Sequence, residues 1–100
     1  MTAISIRKET TSHGGRYAAT VEGKDGEAEL TFTVRAADVI SADHTEAPDT
    51  LRGTGVALAL VEHLIADARA KGFKVIPLCP YVQAQYKKHP EWNDVIANHA

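Results

Sequence analysis

The first half of the chain alternates, and the second half turns helical. In "RYAATV", Tyr17, Ala19 and Val21 share one side. In "EAELTFTVR", Ala28, Leu30, Phe32 and Val34 face one way, while Glu29, Thr31, Thr33 and Arg35 face the other. A period of two is that of strands with one covered and one wet face, as in an antiparallel sheet. "ISIR" (Ile4 to Arg7) fits a short first strand. "DVISADHT" fits a weaker fourth, with Ile40, Ala42 and His44 on one face. Between these runs, "HGG" (His13 to Gly15) reads as a turn and "GKDG" (Gly23 to Gly26) as a hairpin connection. "TEAPDTLRG" reads as a loop, with Pro48 ending the strand.

From Thr54 to Lys71 the period becomes helical. Ala57, Val61, Leu64, Ile65 and Ala68 form an apolar stripe, and His63, Asp67 and Lys71 lie on the polar side. Asp67 precedes Lys71 in the order that favours an i,i+4 ion pair. Gly72 follows Arg69 and Lys71, which is C-terminal helix chemistry. "FKVIPLC" is a short buried strand. A strand–helix–strand unit this compact predicts a right-handed crossover joining parallel strands. Pro77 suits an edge, or a place where two strands diverge and stop pairing. "YVQAQYKK" predicts a second helix, Pro90 interrupts it, and "EWNDVIANHA" reads as a short terminal helix. The expected fold is α+β over one domain, residues 1–100. Its order is β-β-β-β-α-β-α, with a mostly antiparallel sheet and one parallel crossover.

Composition narrows the function. Of 100 residues, 44% are hydrophobic and 24% charged, with a net charge of −2. That balance lacks the basic excess of a nucleic-acid binder. No apolar run reaches the roughly 18 residues of a membrane span, and "MTAISIRKETTS" lacks a signal-peptide apolar region. These features favour the cytoplasm. Cys79 is the single cysteine, so no intramolecular disulfide forms. His13, His44, His63, His89 and His99 have no metal-ligand spacing, and no metal is expected.

The start of the first helix is the most informative feature. "RGTGVALALVEH" begins with two glycines and has no acid before Glu62. A helix N-terminus exposes unpaired N–H groups and the positive end of its dipole, so first-turn acids are normally welcome there. Gly53 and Gly55 remove side chains, and Arg52 adds a cation. Thr54 could cap the helix, but Ala57 gives no capping box. This is the composition of an anion or phosphate site, placed at the carboxyl end of the fourth strand. The structural alternative is a tight turn and a close helix–sheet contact. The segment is not the ATP-binding P-loop, since it lacks the Gly-Lys-Ser/Thr ending.

"RGTGVA" resembles the pyrophosphate motif of the GNAT superfamily of acetyl-CoA-dependent N-acetyltransferases, Gln/Arg-x-x-Gly-x-Gly/Ala. Arg52, Gly55 and Ala57 match it. The order strand, motif, helix, strand, second helix is similar too. "CPYVQAQYKK" resembles the family's Asn-x-x-Ala-x-x-x-Tyr segment, with Cys79 and Val82 replacing Asn and Ala, and Tyr86 matching the tyrosine. "HTEAP", "LRGTGVA", "GFKVIPLCPYV" and "HPEW" look like the short YjdJ-type branch, which lacks the superfamily's early helices. The resemblance implies a GNAT-like sheet splayed at the cofactor site, and acetyl transfer from acetyl-CoA to an unidentified amine. It implies that the backbone of Thr45, Glu46 and Ala47 flanks the pantetheine arm. Arg52, Gly53, Thr54, Gly55, Val56 and Ala57 would cradle the pyrophosphate, and Cys79 and Tyr86 would lie near the sulfur. Because the early helices normally wall off the acceptor, it also implies a large, external acceptor, such as an amine on a protein.

Acetyl transfer needs a neutral amine, a polarised thioester carbonyl and a leaving thiolate. The first choice of base is His44, since imidazole is a side chain suited to general acid–base work; its structural alternative is a hydrogen-bonded histidine under the sheet. Glu46 and Asp43 are weaker candidates. Tyr86 could protonate the thiolate. Cys79 is read as a small buried hydrophobe, a thiol beside the acetyl group, or an acyl-enzyme nucleophile activated by a neighbour such as His89. Lys87 and Lys88 read as surface charges, and Trp92 as packing for the C-terminal segment. The expected protein is a monomer or weak homodimer that binds neither nucleic acid nor membrane. A non-catalytic acyl-CoA-binding or sensing module and an interaction domain without the cofactor site are the competing functions.

Overall fold

A computed structural model describes residues 3–97. Strands β1 (Ile4–Thr10), β2 (Gly14–Val21), β3 (Ala28–Ala36) and β4 (Val39–Glu46) lead into helix α1 (Val56–Lys71), then β5 (Lys74–Pro77) and helix α2 (Pro80–Lys88). The five strands form one sheet in sequence order, antiparallel except for the parallel β4–β5 pair. The fold is the mixed α+β arrangement that the alternation and the helical period predict.

Several boundaries differ from the sequence reading: β1 runs to Thr10, past the expected Arg7, and α1 begins at Val56 and not Thr54. Gly14 and Gly15 belong to β2, where they pair with Thr33 and Phe32 of β3. The C-terminal segment is a 3-10 turn (Pro90–Asp94) rather than a helix. After it the chain returns to the sheet: Val75 N–H donates to the Val95 carbonyl at 2.7 Å, and Ala97 N–H to the Val75 carbonyl at 2.7 Å. Backbone groups on the outer side of β5 are thereby satisfied, and the edge strand is covered. The last three residues of that expected helix, with His99, lie outside the described residues.

Alternation decides the core. Tyr17, Ala19, Leu30, Phe32, Ile40 and Ala42 project to one face, where α1 lays down Val56, Leu60, Val61, Leu64, Ile65 and Ala68. Ala57 is only half-buried, and Val56 and Leu60 take the place expected for it. Val82, Trp92, Val95 and Ile96 extend the same cluster from α2 and the C-terminal segment. The opposite face carries polar partners. Arg16 there binds Glu9, Glu27 and Glu29 at 2.8 to 3.0 Å.

One polar cluster ties α1 to the sheet. Asp67 Oδ2 accepts from Lys8 Nζ at 2.8 Å and from the Tyr17 hydroxyl at 2.6 Å, while Lys71 lies 3.2 Å from its other oxygen. The Asp67–Lys71 pair forms as its spacing predicts, but Lys8 and Tyr17, distant in sequence, dominate the site. The Lys8 ammonium also lies 5.2 to 5.5 Å from the ring centroids of Tyr17, Phe32 and Phe73. Burial would raise the Asp67 carboxyl, but the hydrogen bonds from Lys8, Tyr17 and Lys71 outweigh it and hold the pKa at about 2. Burial, and then the bond to Asp67, push the Tyr17 hydroxyl up.

A lowered carboxyl pKa stabilises the fold above its unfolded value and is lost as the pH falls through the folded one. A drop from 3.8 to about 2 corresponds to roughly 2 kcal/mol, present above pH 4 and gone near pH 2. Asp67→Asn should therefore lower stability at pH 7 by roughly that amount and flatten the acid limb of a denaturant-midpoint profile. An unchanged acid limb would show that Asp67 does not control it.

Candidate functional site

The loop before α1 is built around Leu51, which is 1% exposed and anchors a 3-10 turn (Asp49–Leu51). Its carbonyl accepts from both the N–H and the hydroxyl of Thr54, at 3.3 and 2.6 Å. Thr54 is therefore turned back into the loop and does not cap the helix. The N-cap is Gly55, with φ 78°, and no side chain bonds to the helix start. Gly53 has φ 80°. A Cβ at either glycine would meet nothing within 4 Å. The glycines thus do not serve a close helix–sheet contact. They supply left-handed backbone for the turn and leave the space above the helix start open.

No acid lies in the first turn of α1, whereas Arg69 and Lys71 lie in the last. Ala59 N–H bonds to the Gly55 carbonyl, and the N–H groups of Gly53, Gly55, Val56, Ala57 and Leu58 have no backbone acceptor among the described residues. Arg52 stands alongside, 81% exposed, and among the described residues its side chain bonds only to the exposed Asp49, at 2.8 Å. Such a surface pair is weak. Arg52 can turn toward an anion at little cost.

The other half of the site lies where β4 and β5 part. Their pairing runs from Val39↔Lys74 to Ala42↔Pro77 and stops. The Leu78 and Cys79 N–H groups then both donate to the Ala42 carbonyl, at 3.1 and 2.8 Å. Residues 43–46 of β4 continue along β3 alone. Pro77 thus sits where the strands diverge.

At that point β4 carries a bulge. Phe32 pairs with Ala42 and Thr31 with His44, so Asp43 is an extra residue. The bulge reverses the expected alternation. His44 does not share a face with Ile40 and Ala42; it pairs with Thr31 on the open face and is exposed. Thr45 takes the covered face instead, paired with Leu30. Its hydroxyl lies 3.4 Å from Cys79 Sγ. The structural alternative for His44, a histidine bonded beneath the sheet, is removed by this register.

Cys79 is the N-cap of α2 and is 3% exposed. His89, its suggested activator, is at the opposite end of a nine-residue helix, about 15 Å along the axis. His89 stacks on Trp92 with 4.4 Å between ring centres and binds Glu91 at 3.0 Å. It organises the 3-10 turn, not the thiol. Tyr86 donates its hydroxyl to Asn93 at 2.6 Å and lines a groove with Ile76, Pro77, Leu78 and Lys87. Thr45, Glu46 and Ala47 line a different groove, of about 680 Å³, with Arg16, Glu27 and Glu29. The structure brings Thr45 and Cys79 together and assembles residues 52–57 as the loop end and first residues of α1. It places Tyr86 and His89 together at the end of α2, where the Tyr86 carbonyl accepts from the His89 N–H at 3.0 Å.

The glutamates of the larger groove were not legible as a site, because their positions read as the wet face of a strand. Among the described residues, no group of three or more His, Cys, Asp or Glu could hold a metal ion. No helix is long and apolar enough to cross a membrane.

A splayed sheet and an uncapped, glycine-rich helix start agree with the sequence resemblance. The family model of GCN5-related N-acetyl-transferases matches residues 16–95. The chain belongs to that family. A GCN5-like protein from Staphylococcus aureus, solved in solution, has the same fold. It is 23% identical, covers 94% of this chain and 90% of its own, and superposes with a TM-score of 0.67. No curated protein matches the chain.

Gly55 isolates the backbone argument from the space argument. A Cβ there meets nothing, so Gly55→Ala should cost only the left-handed strain, about 1 kcal/mol. This corresponds to a fall of about 4–8 °C in Tm for a domain of this size. A Tm equal to wild type would show that the turn relaxes without glycine.

Proposed function

We propose that this family member is an acetyl-CoA-dependent N-acetyltransferase of the short YjdJ-type branch, acting as one domain on an amine. The observation that carries the reading is the start of α1. Among the described residues, its N–H groups lack partners, its first turn lacks acids, and no atom fills the space above Gly53 and Gly55. A pyrophosphate suits that place, held by the backbone of residues 53–57 with Arg52 alongside. Thr45, Glu46 and Ala47 would flank the pantetheine arm where β4 has lost β5. The thioester would then lie near Cys79 and Thr45.

In the reaction, the amine nitrogen attacks the thioester carbonyl, the C–N bond forms, and the C–S bond breaks to release CoA thiolate. His44, exposed on the open face one residue from Thr45, is the proposed base for the amine. The groove holding Glu46 is open enough for an acceptor carried on a larger molecule, a protein included. Tyr86 is the proposed acid for the thiolate, a role that requires its hydroxyl to leave Asn93. That bond is the observation favouring the second reading, a module that binds acyl-CoA without turnover. The reading places the protein in the cytoplasm, where acetyl-CoA is at hand, as a monomer or weak homodimer.

Calorimetric titration with acetyl-CoA should show saturable binding in wild type and in Gly55→Ala. Gly55→Glu should bind none, because its carboxylate would oppose the phosphates. Equal binding by Gly55→Glu would refute this placement.

Turnover is read as free thiol released with a panel of amines. His44→Ala should then lower kcat by about 10²-fold or more; full activity removes His44 as base. Full activity in Cys79→Ala excludes an obligatory acyl-cysteine. Binding without thiol release from any amine would favour the non-catalytic module.

A further inference from the structure

We infer that Asp43 is a positioning residue for the ligand arm between β4 and β5, acting through a side-chain lock on the β4 bulge. The inference rests on the acetyl-CoA reading above and adds a residue to it.

Asp43 is the one β4 residue without a partner on β3, since Ala42 and His44 take Phe32 and Thr31. An extra residue in a ladder has no backbone pairing to hold it. Its carboxylate supplies the missing ties. Oδ2 accepts from the Thr33 hydroxyl at 2.5 Å, and Oδ1 accepts from the Ser41 hydroxyl at 2.7 Å. Ser41 is 0% exposed. Its oxygen accepts from Arg35 Nε at 2.8 Å, and Arg35 Nη2 lies 3.8 Å from Asp43. The chain Arg35–Ser41–Asp43–Thr33 joins the strand before the bulge to its neighbour and to the bulge itself. Every buried polar atom in it has a partner.

The lock has a consequence for the site because side chains alternate. Without the extra residue, His44 would fall on the covered face and Thr45 on the open one. With it, Thr45 faces Cys79 at 3.4 Å, and the β4 edge opens beyond the last β5 contact, the Ala42 carbonyl. Holding the bulge thus sets both the wedge and the side chain that lines it. The pyrophosphate loop has its own anchors, Leu51 and Thr54. Loss of the lock should therefore damage one half of the site and spare the other.

Two ligands separate the halves. 3′,5′-ADP carries the 3′-phosphate and the first phosphate of the pyrophosphate without the pantetheine arm, and acetyl-CoA carries the whole. In calorimetric titrations, Asp43→Ala should weaken acetyl-CoA about tenfold, the scale of one hydrogen bond to a charged group. It should leave 3′,5′-ADP within about twofold. Asp43→Asn, which keeps one acceptor oxygen, should recover part of the loss. Equal weakening of both ligands, or none of either, would overturn the inference. If Asp43→Ala fails to fold, Thr33→Val removes one of the two ties at constant volume and should show the same selectivity to a smaller degree. Equal effects on both ligands there would overturn it too. Wild type that binds neither ligand would sink the acetyl-CoA reading, and this inference with it. Wild type that binds both, beside an unaffected Asp43→Ala, would sink this inference alone.

Discussion

The parallel pairing of β4 with β5 ends at one atom, the Ala42 carbonyl oxygen, and much of the molecule follows from that stop. Pro77 has no N–H to continue the ladder. The next two N–H groups, of Leu78 and Cys79, both fold back onto Ala42. Directly beyond, the extra residue Asp43 bends β4 away. Two independent devices on facing strands thus act at the same level. The result is a wedge with Thr45 on one wall and the start of α2 on the other.

Charge along α1 follows the same division of labour. Its last turn carries Arg69 and Lys71, which suit the negative end of the helix dipole. Arg69 also holds Asp94 at 2.9 Å and so fixes the C-terminal segment. Asp67, an acid in the second half of the helix, opposes the dipole, but the ammonium groups of Lys8 and Lys71 offset that. Only the first turn is left without compensation. An uncapped helix start without acids, on a helix whose other end carries its basic residues, suits an anion. The left-handed glycines beside it leave room for one.

The parts of this fold that were legible in the sequence are those governed by period. Strand faces in β3, the stripe on α1 and the Gly72 stop follow from one-dimensional spacing, and so does the resemblance carried by "RGTGVA". What was not legible depends on a second strand. "SADHTE" offers four polar residues in a row after Ala42, so no pattern marks where the alternation slips. The placement of His44 failed there, because a bulge is defined by the partner strand's register. Lys8 and Tyr17 around Asp67 were hidden for the same reason, being distant in sequence. The C-terminal segment read as a helix, yet Val75 offered an unpaired edge that Val95 and Ala97 could satisfy. Ladder hydrogen bonds at that edge outweighed local propensity.

The same geometry limits how catalysis can be arranged. Tyr86 and His89 are each engaged by the C-terminal turn, through Asn93 and Glu91 respectively, so Tyr86 could serve a thiolate only by giving up Asn93. Thr45 and Cys79 line the wedge, but a hydroxyl against a buried thiol is not a base. The ionisable groups nearest Thr45 along β4 are Asp43, His44 and Glu46. Asp43 is committed to Ser41 and Thr33. That leaves His44 and Glu46, both exposed and both reached from the open face. In the proposed reaction, a proton leaving the amine would therefore depart toward solvent on the open side of the sheet. The acceptor would approach from that side, while the anionic part of the ligand would sit at the start of α1.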